Sequence, residues 1–311
     1  MSPASPERTT SPASDRWLRL GVNILNGFVG DHLQARRNSL AIEMGFRIEG
    51  RPVRLEASAI RASLPAATSR LCILVHGLGC DEHVWQFAAD GTDETNGVRH
   101  RQASYGSLLA EDQGYTSLFV RYNTGLSIEE NGTKLARLLG ELLVSYPSDV
   151  DEIVLLGHSM GGVVIRSACR AAEGTDEAWL AKLRHTIMLG APLDGADLAR
   201  FARLSSALLR VPSHPVTSLI GDVVDVRSRG IKDLSLGWRD VPLPAGARHH
   251  EIFGALNRSR SHLATRLFGD GLVRSRAGNA PENVRHFPGV GHLELAANQE
   301  VYRQIREWCR A

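Results

Sequence analysis

The apolar run Ile153-Val154-Leu155-Leu156 leads straight into Gly157-His158-Ser159-Met160-Gly161-Gly162, and this junction constrains the fold more than any other stretch. Four consecutive aliphatic residues are the signature of a strand covered on both faces. Residues 160–172 carry a helical pattern, and a G-x-S-x-G at a strand-to-helix corner lifts its serine hydroxyl clear of the backbone. Gly157 and Gly161 are expected there because strand and helix approach too closely for a Cβ. The motif alone is weak: with 30 glycines in 311 residues, chance supplies a bare G-x-S-x-G about 0.2 times. Its weight comes from the strand before it, the helix behind it, and an acid and a histidine placed further on.

The flanking sequence repeats the same alternation. Leu71–Val75 is another continuous apolar run and ends in His76-Gly77-Leu78-Gly79. Tyr105–Gln113 reads as a helix closed by Gly114, and Ser117–Tyr122 as a strand. Ser127-Ile128-Glu129-Glu130 is a capping box for a helix reaching about Val144, with Leu135, Leu138, Leu139 and Leu142 inward. A short helix near Asp176–Leu183, strands at His185–Leu189, Glu251–Leu256 and Asn283–Phe287, and a helix from Ala297 to Arg310 complete the series. Repeated β-α-β units of this length imply an α/β fold, a mostly parallel sheet with helices on both faces. An antiparallel hairpin is expected ahead of it, from Gly45–Glu49 and Val53–Ala57 with Gly50-Arg51-Pro52 as the turn.

Two stretches break the rhythm. From about 193 to 248, between the sixth and seventh strands, an amphipathic helix carrying Leu198, Phe201, Leu204 and Leu208 gives way to proline- and glycine-rich sequence. A segment of this size without strand signals is expected to act as a cap over the C-terminal ends of the strands. At the other end, residues 1–15 are rich in Ser, Pro and Thr and read as a disordered tail. Residues 16–44 read as a helical segment on the core, with Trp17, Leu20, Ile24 and Phe28 on one stripe. An interfacial membrane helix is the alternative for that segment. Residues 45–311 then form one domain including the cap.

Composition excludes several partners. Hydrophobic content of 43 %, charged content of 23 % and a net charge of +2 are ordinary for a globular protein and give no reason to expect nucleic acid. No run of about 18 apolar residues is present, and the N-terminus lacks the pattern of a secretory leader. A cytoplasmic protein without a transmembrane segment is the expectation. Cys72, Cys80, Cys169 and Cys309 show no C-x-x-C and are expected mostly as buried free thiols, with a Cys72–Cys80 bridge as the alternative. There is no H-E-x-x-H and no His/Asp/Glu cluster at ligand spacing, and no G-x-G-x-x-G opens a helix after the first parallel strand. Neither a metal nor a cofactor is expected.

A serine hydroxyl is a poor nucleophile unless a base takes its proton, and the base, usually histidine, needs a carboxylate to fix its tautomer. On a doubly wound sheet these partners follow the serine in the order Ser, acid, His. For the base, His292 in Gly289-Val290-Gly291-His292 follows the last strand and precedes the last helix; His286 and His262 compete with it. For the acid, Asp270 in Gly269-Asp270-Gly271-Leu272-Val273 occupies the loop before the Asn283 strand, with Asp194, Asp197 and Glu294 as alternatives. The N–H groups of Leu78 and Met160 are the expected oxyanion donors.

Taken together, His76-Gly77-Leu78-Gly79, Gly157-His158-Ser159-Met160-Gly161-Gly162, Leu189-Gly190-Ala191-Pro192, Gly269-Asp270-Gly271-Leu272-Val273 and Gly291-His292 resemble the α/β-hydrolase superfamily, and within it the bacterial triacylglycerol-lipase and GPI-inositol-deacylase-like branch. The resemblance spans roughly residues 45 to 311. It implies a cofactor-free serine hydrolase acting on small-molecule or lipid carboxyl esters, with Ser159, Asp270 and His292 as the triad. Two features depart from that branch: Arg274 replaces the proline usual after D-G-x-V, and no signal peptide is evident, which favours an intracellular esterase over a secreted lipase. Acyl transfer on the same residues and a non-catalytic binding module are the competing functions. Halide or epoxide chemistry on this fold usually needs an aspartate where Ser159 stands.

Overall fold

The computed structural model describes residues 12–89, 101–175, 177–195, 228–255 and 283–310. Eight strands form one sheet: β1 (Gly45–Ile48), β2 (Arg51–Pro52), β3 (Arg70–Val75), β6 (Thr116–Arg121), β7 (Glu152–His158), β8 (Leu183–Leu189), β9 (Arg248–Ala255) and β10 (Val284–Pro288). Their order is β10-β9-β8-β7-β3-β6-β1-β2, parallel from β10 to β6, with β1 and β2 antiparallel at one edge. The chain passes from β3 to β6 on one side and then returns to β7 on the other. The switch point therefore lies between β3 and β7, where open α/β sheets place a crevice at the carboxyl ends of their strands.

The continuous apolar runs are explained by burial on both faces. Leu71, Ile73 and Val75 of β3 and Ile153 and Leu155 of β7 face α4 (Ile128–Ser145) and α5 (Met160–Ala172). Cys72 and Leu74, with Val154 and Leu156, face α3 (Tyr105–Gln113) and the closing helix α8 (Gln299–Arg310). Each such side chain contributes about 1.5–3 kcal/mol when fully buried. Helix ends follow their sequence signals. Ser127 accepts the Glu130 N–H at the start of α4, Ser104 and Ser107 cap α3 reciprocally, and Gly114 closes α3 at φ 70°.

The hairpin is present with a different turn. Glu49 and Gly50 both take positive φ, 49° and 78°, which makes a two-residue turn and brings β2 forward to Arg51–Pro52. The expected strand at Val53–Ala57 is not formed; Ala57–Ser63, rich in alanine, is helix α2. After Asp81 the chain forms a 3-10 turn (Glu82–Trp85) and two strands, β4 (Gln86–Ala89) and β5 (Arg101–Ser104), paired as a separate ribbon. Helix α1 begins at Pro12 and runs to Ala35, so residues 12–15 belong to it rather than to a tail; residues 1–11 lie outside the described residues. The short helix before β8 is α6 (Ala178–Lys182).

Of the expected cap, 196–227 and its amphipathic helix lie outside the described residues. The part that follows forms α7 (Arg229–Asp233), whose Gly230 N–H bonds Gly125 O beyond the end of β6. Arg239 then bridges Asp194 Oδ1 at 2.6 Å and Glu251 Oε1 at 2.9 Å, tying this segment to β9 and the residues after β8. All four cysteines are free thiols, so Cys72 and Cys80 are not bridged; Cys80 is half-buried and the other three are buried. No described helix is long and apolar enough to cross a membrane.

Candidate active site

Ser159 stands between the last residue of β7 and the first of α5 with φ 54° and ψ −124°. For a residue with a Cβ such a conformation costs of order 1–3 kcal/mol and survives only where its surroundings enforce it. Here the Ser159 N–H donates to Leu189 O at 2.8 Å and its carbonyl accepts the Gly162 N–H at 3.1 Å. The expected close approaches are present. A Cβ on Gly161 would lie 2.2 Å from Val75 O, and one on Gly157 would lie 2.6 Å from the Gly162 backbone. Gly77, in the loop after β3, adds a third, since a Cβ there would sit 3.0 Å from the Ser159 Cβ. The serine is thereby set against the loop that carries Leu78.

Met160 opens α5, where the first N–H groups have no partner inside the helix and point out of its positive end. Leu78 lies in the turn closed by Cys80 N–H to Gly77 O at 3.2 Å, and is buried. The neighbouring Gly79 N–H donates to Thr124 Oγ1 at 3.2 Å, joining the loops after β3 and β6.

His292 follows β10 in a loop held at two points. The Gly291 N–H donates to Glu294 Oε2 at 2.8 Å, and the Leu295 N–H to Gly291 O at 3.2 Å. Its imidazole lies against Gly190, where an added Cβ would be 2.9 Å from His292 Nδ1 and Cε1. Gly190 has φ 59° and directly follows Leu189, the residue that accepts the Ser159 N–H. The corner after β8 thus serves both Ser159 and His292, and both are 5 % exposed.

His158, which sequence reasoning passed over as the variable position of the motif, also acts here. Its Nε2 lies 3.0 Å from His292 O, and the two rings are 5.1 Å apart. Because a carbonyl only accepts, Nε2 of His158 carries the proton. A polar side chain next to the serine, at the end of an otherwise apolar strand, was the available signal.

Asp270 and Asp197 lie outside the described residues, as does His262. The other competitors are engaged elsewhere: Asp194 with Arg239, Glu294 with the Gly291 N–H, and His286 stacked on Phe253 with ring centroids 5.4 Å apart. One acidic cluster does come together among the described residues, although none was expected. Potential ligand atoms of Asp81, Glu82 and His83 lie within 4.8 Å of one another. Its oxygens already serve other groups, Glu82 pairing with Arg121 and Asp81 with Arg19, Asn23 and His83. Despite its burial, hydrogen bonds and charge from His83, with a bond from Asn23, hold the Asp81 carboxyl well below the usual range.

Among solved structures, the chain is similar to the mature form of the Bacillus licheniformis lipase BlEst2, at 17 % identity over 76 % of this chain and 91 % of that one, with a TM-score of 0.48. It is also similar to a Pyrococcus furiosus esterase (12 % identity, 78 % and 81 % covered, TM-score 0.47) and to a lipase-esterase related protein of Clostridium acetobutylicum (14 % identity, 78 % and 96 % covered, TM-score 0.42). No curated protein compared with the sequence matches it. The model of the Alpha/beta hydrolase family matches residues 72–304, from β3 to within α8. With the elbow, the parallel sheet and this match over most of its length, the chain belongs to the alpha/beta hydrolase family.

Proposed function

We propose that the protein hydrolyses carboxyl esters through an acyl-enzyme on Ser159. The observation that carries this reading is the backbone of Ser159, held at φ 54° at the strand-to-helix corner beside the Leu78 loop. A structural serine has no need of that conformation, whereas a nucleophile gains a clear line of attack from it.

In the proposed reaction, Ser159 Oγ attacks the ester carbonyl carbon while His292 takes the hydroxyl proton. The N–H groups of Leu78 and Met160 donate to the developing oxyanion, a contribution of about 3 kcal/mol per donor. Collapse of the tetrahedral species breaks the bond to the alcohol, which leaves with the proton from His292. Water then repeats the attack, giving its proton to His292, and the acid leaves as that proton returns to Ser159. Asp270 orients His292 and stabilises the imidazolium. The substrate class is a small-molecule or lipid ester, and no cofactor takes part.

Turnover of p-nitrophenyl esters from acetate to palmitate, with Ser159→Ala beside the native enzyme, tests the reading. Hydrolysis by the native protein and its loss in the variant is the expected result; equal rates would remove it. Product analysis with competing alcohols separates hydrolysis, which is expected, from acyl transfer.

A further inference from the structure

We propose that helix α1, which lies ahead of the family match, is a working part of the site. It sets the position of the loop that presents the Leu78 N–H, with Gly27 and Asn23 as the positioning residues. This rests on the Ser159 reading above.

Three sets of contacts lead to it. First, Asn23 Nδ2 donates to Asp81 Oδ2 at 2.8 Å, and Arg19 Nε lies 3.2 Å from the same oxygen. Asn23 and Asp81 are both buried, so this bond anchors the far end of the Leu78 loop to the helix. Second, α1 meets the loop backbone directly. A Cβ on Gly27 would sit 3.4 Å from Gly79 Cα and N, and 3.5 Å from Leu78 Cδ1. Third, the helix is itself fixed at that height. Gly27 O accepts from Ser228 Oγ at 2.7 Å, Gly30 O from Asn123 Nδ2 at 2.9 Å, and Asn26 bonds Leu40 O and the Ile42 N–H. Helical geometry breaks at Val29 (φ −133°, ψ 18°), beside these contacts.

The Leu78 loop is therefore held from two sides, by α1 through Asn23 and Gly27 and by the loop after β6 through Thr124. An oxyanion donor must be held within about 0.5 Å of its productive position, and a misplacement of about 1 Å costs about a hundredfold in rate. A helix that only covered apolar surface would need no buried polar bond to this loop.

The test compares Gly27→Leu and Asn23→Ala with the native enzyme and with Leu18→Ser, a change on the exposed face of α1. Leu18→Ser should stay within about twofold of native kcat. Gly27→Leu must push Leu78 and Gly79 aside and should lower kcat about 10- to 100-fold, with KM within about threefold. Asn23→Ala should lower kcat about 3- to 10-fold. Affinity for an alkyl boronic acid, which mimics the tetrahedral species, should fall in proportion to kcat/KM across the series. Folded Gly27→Leu and Asn23→Ala enzymes with native kcat, a loss confined to KM, or failure of both variants to fold would overturn the proposal by reducing α1 to cover. Native protein without Ser159-dependent turnover would instead overturn the parent reading and this inference with it.

Discussion

The two ends of the sheet are built by different means. At the carboxyl ends of the strands, glycines permit the close approaches: Gly161 against Val75 O, Gly157 against the Gly162 backbone, Gly77 against the Ser159 Cβ, and Gly190 against the His292 ring. At the opposite end, side chains do the joining. Arg70 bonds Glu152 at 2.9 Å, Tyr115 Oη at 2.9 Å and the carbonyl of Gln113 at 2.7 Å, and its guanidinium lies 4.2 Å above the Tyr115 ring. Near that end His185, His250 and Trp308 stack across β8, β9 and α8, with His250 and Trp308 centroids 4.2 Å apart. The difference separates two tasks. One end holds a strained residue in place with glycines at its closest approaches, while the other holds the layers together through side chains.

Replacing Ser159 with glycine tests this separation most strongly. It should lower ester turnover by about 10⁴-fold or more while raising stability by about 1 kcal/mol, because glycine relieves the positive φ. Kinetics and thermal unfolding of the same preparation decide it, and a destabilised variant would remove the strain account. Gly161→Ala, which drives a Cβ into Val75 O, should destabilise the fold by about 3 kcal/mol or more in denaturant unfolding. At the other end, Arg70→Met should cost about 2 kcal/mol by leaving the partly buried Glu152 carboxylate without its cation, with kcat unchanged. A changed kcat there would break the division between the two ends.

The smallest expected effect is acid sensitivity. Burial, helped by Arg248, pushes His185 down to about 4, and burial beside His185 pushes His250 down to about 3. In the unfolded chain both titrate near pH 6.5. The stability they confer is therefore complete above about pH 6.5 and is lost as pH falls toward about 3, because the unfolded state binds protons the native state refuses. His250→Phe keeps a ring for the Trp308 stack but removes the 3.1 Å hydrogen bond between His185 Nδ1 and His250 Nε2, so it should lower Tm at pH 8 and flatten the further fall of Tm between pH 6.5 and 4. An unchanged slope would place the sensitivity elsewhere.

What could be read from the sequence followed the same division. Buried strands such as Leu71–Val75 and capped helices such as Tyr105–Gln113 announce themselves through runs of apolar residues and cap chemistry, and the structure has them. The hairpin was placed correctly but its second strand was not. Glu49-Gly50 formed a tighter turn than Gly50-Arg51-Pro52 suggested, and the alanines of 57–63 went to helix. The places of Ser159 and Met160 at the strand-to-helix corner, of Leu78 in the loop after β3 and of His292 in the loop after β10 were legible because motif spacing and element order constrain them, while Asp270 lies outside the described residues. The role of α1 was not legible. Its periodicity reports that one face is buried, but the contacts that matter, Gly27 on Gly79 and Asn23 on Asp81, join residues more than fifty positions apart and leave no local pattern. His158 was hidden for a related reason, since its partner is a backbone carbonyl in another loop.

The central claim is that Ser159 is an activated nucleophile, and covalent labelling of the folded protein with a fluorophosphonate tests it most directly. One label per chain, mapped to the peptide containing Ser159 and abolished in Ser159→Ala, is the result expected. No label on the folded native protein, or a label that persists in Ser159→Ala, would contradict it.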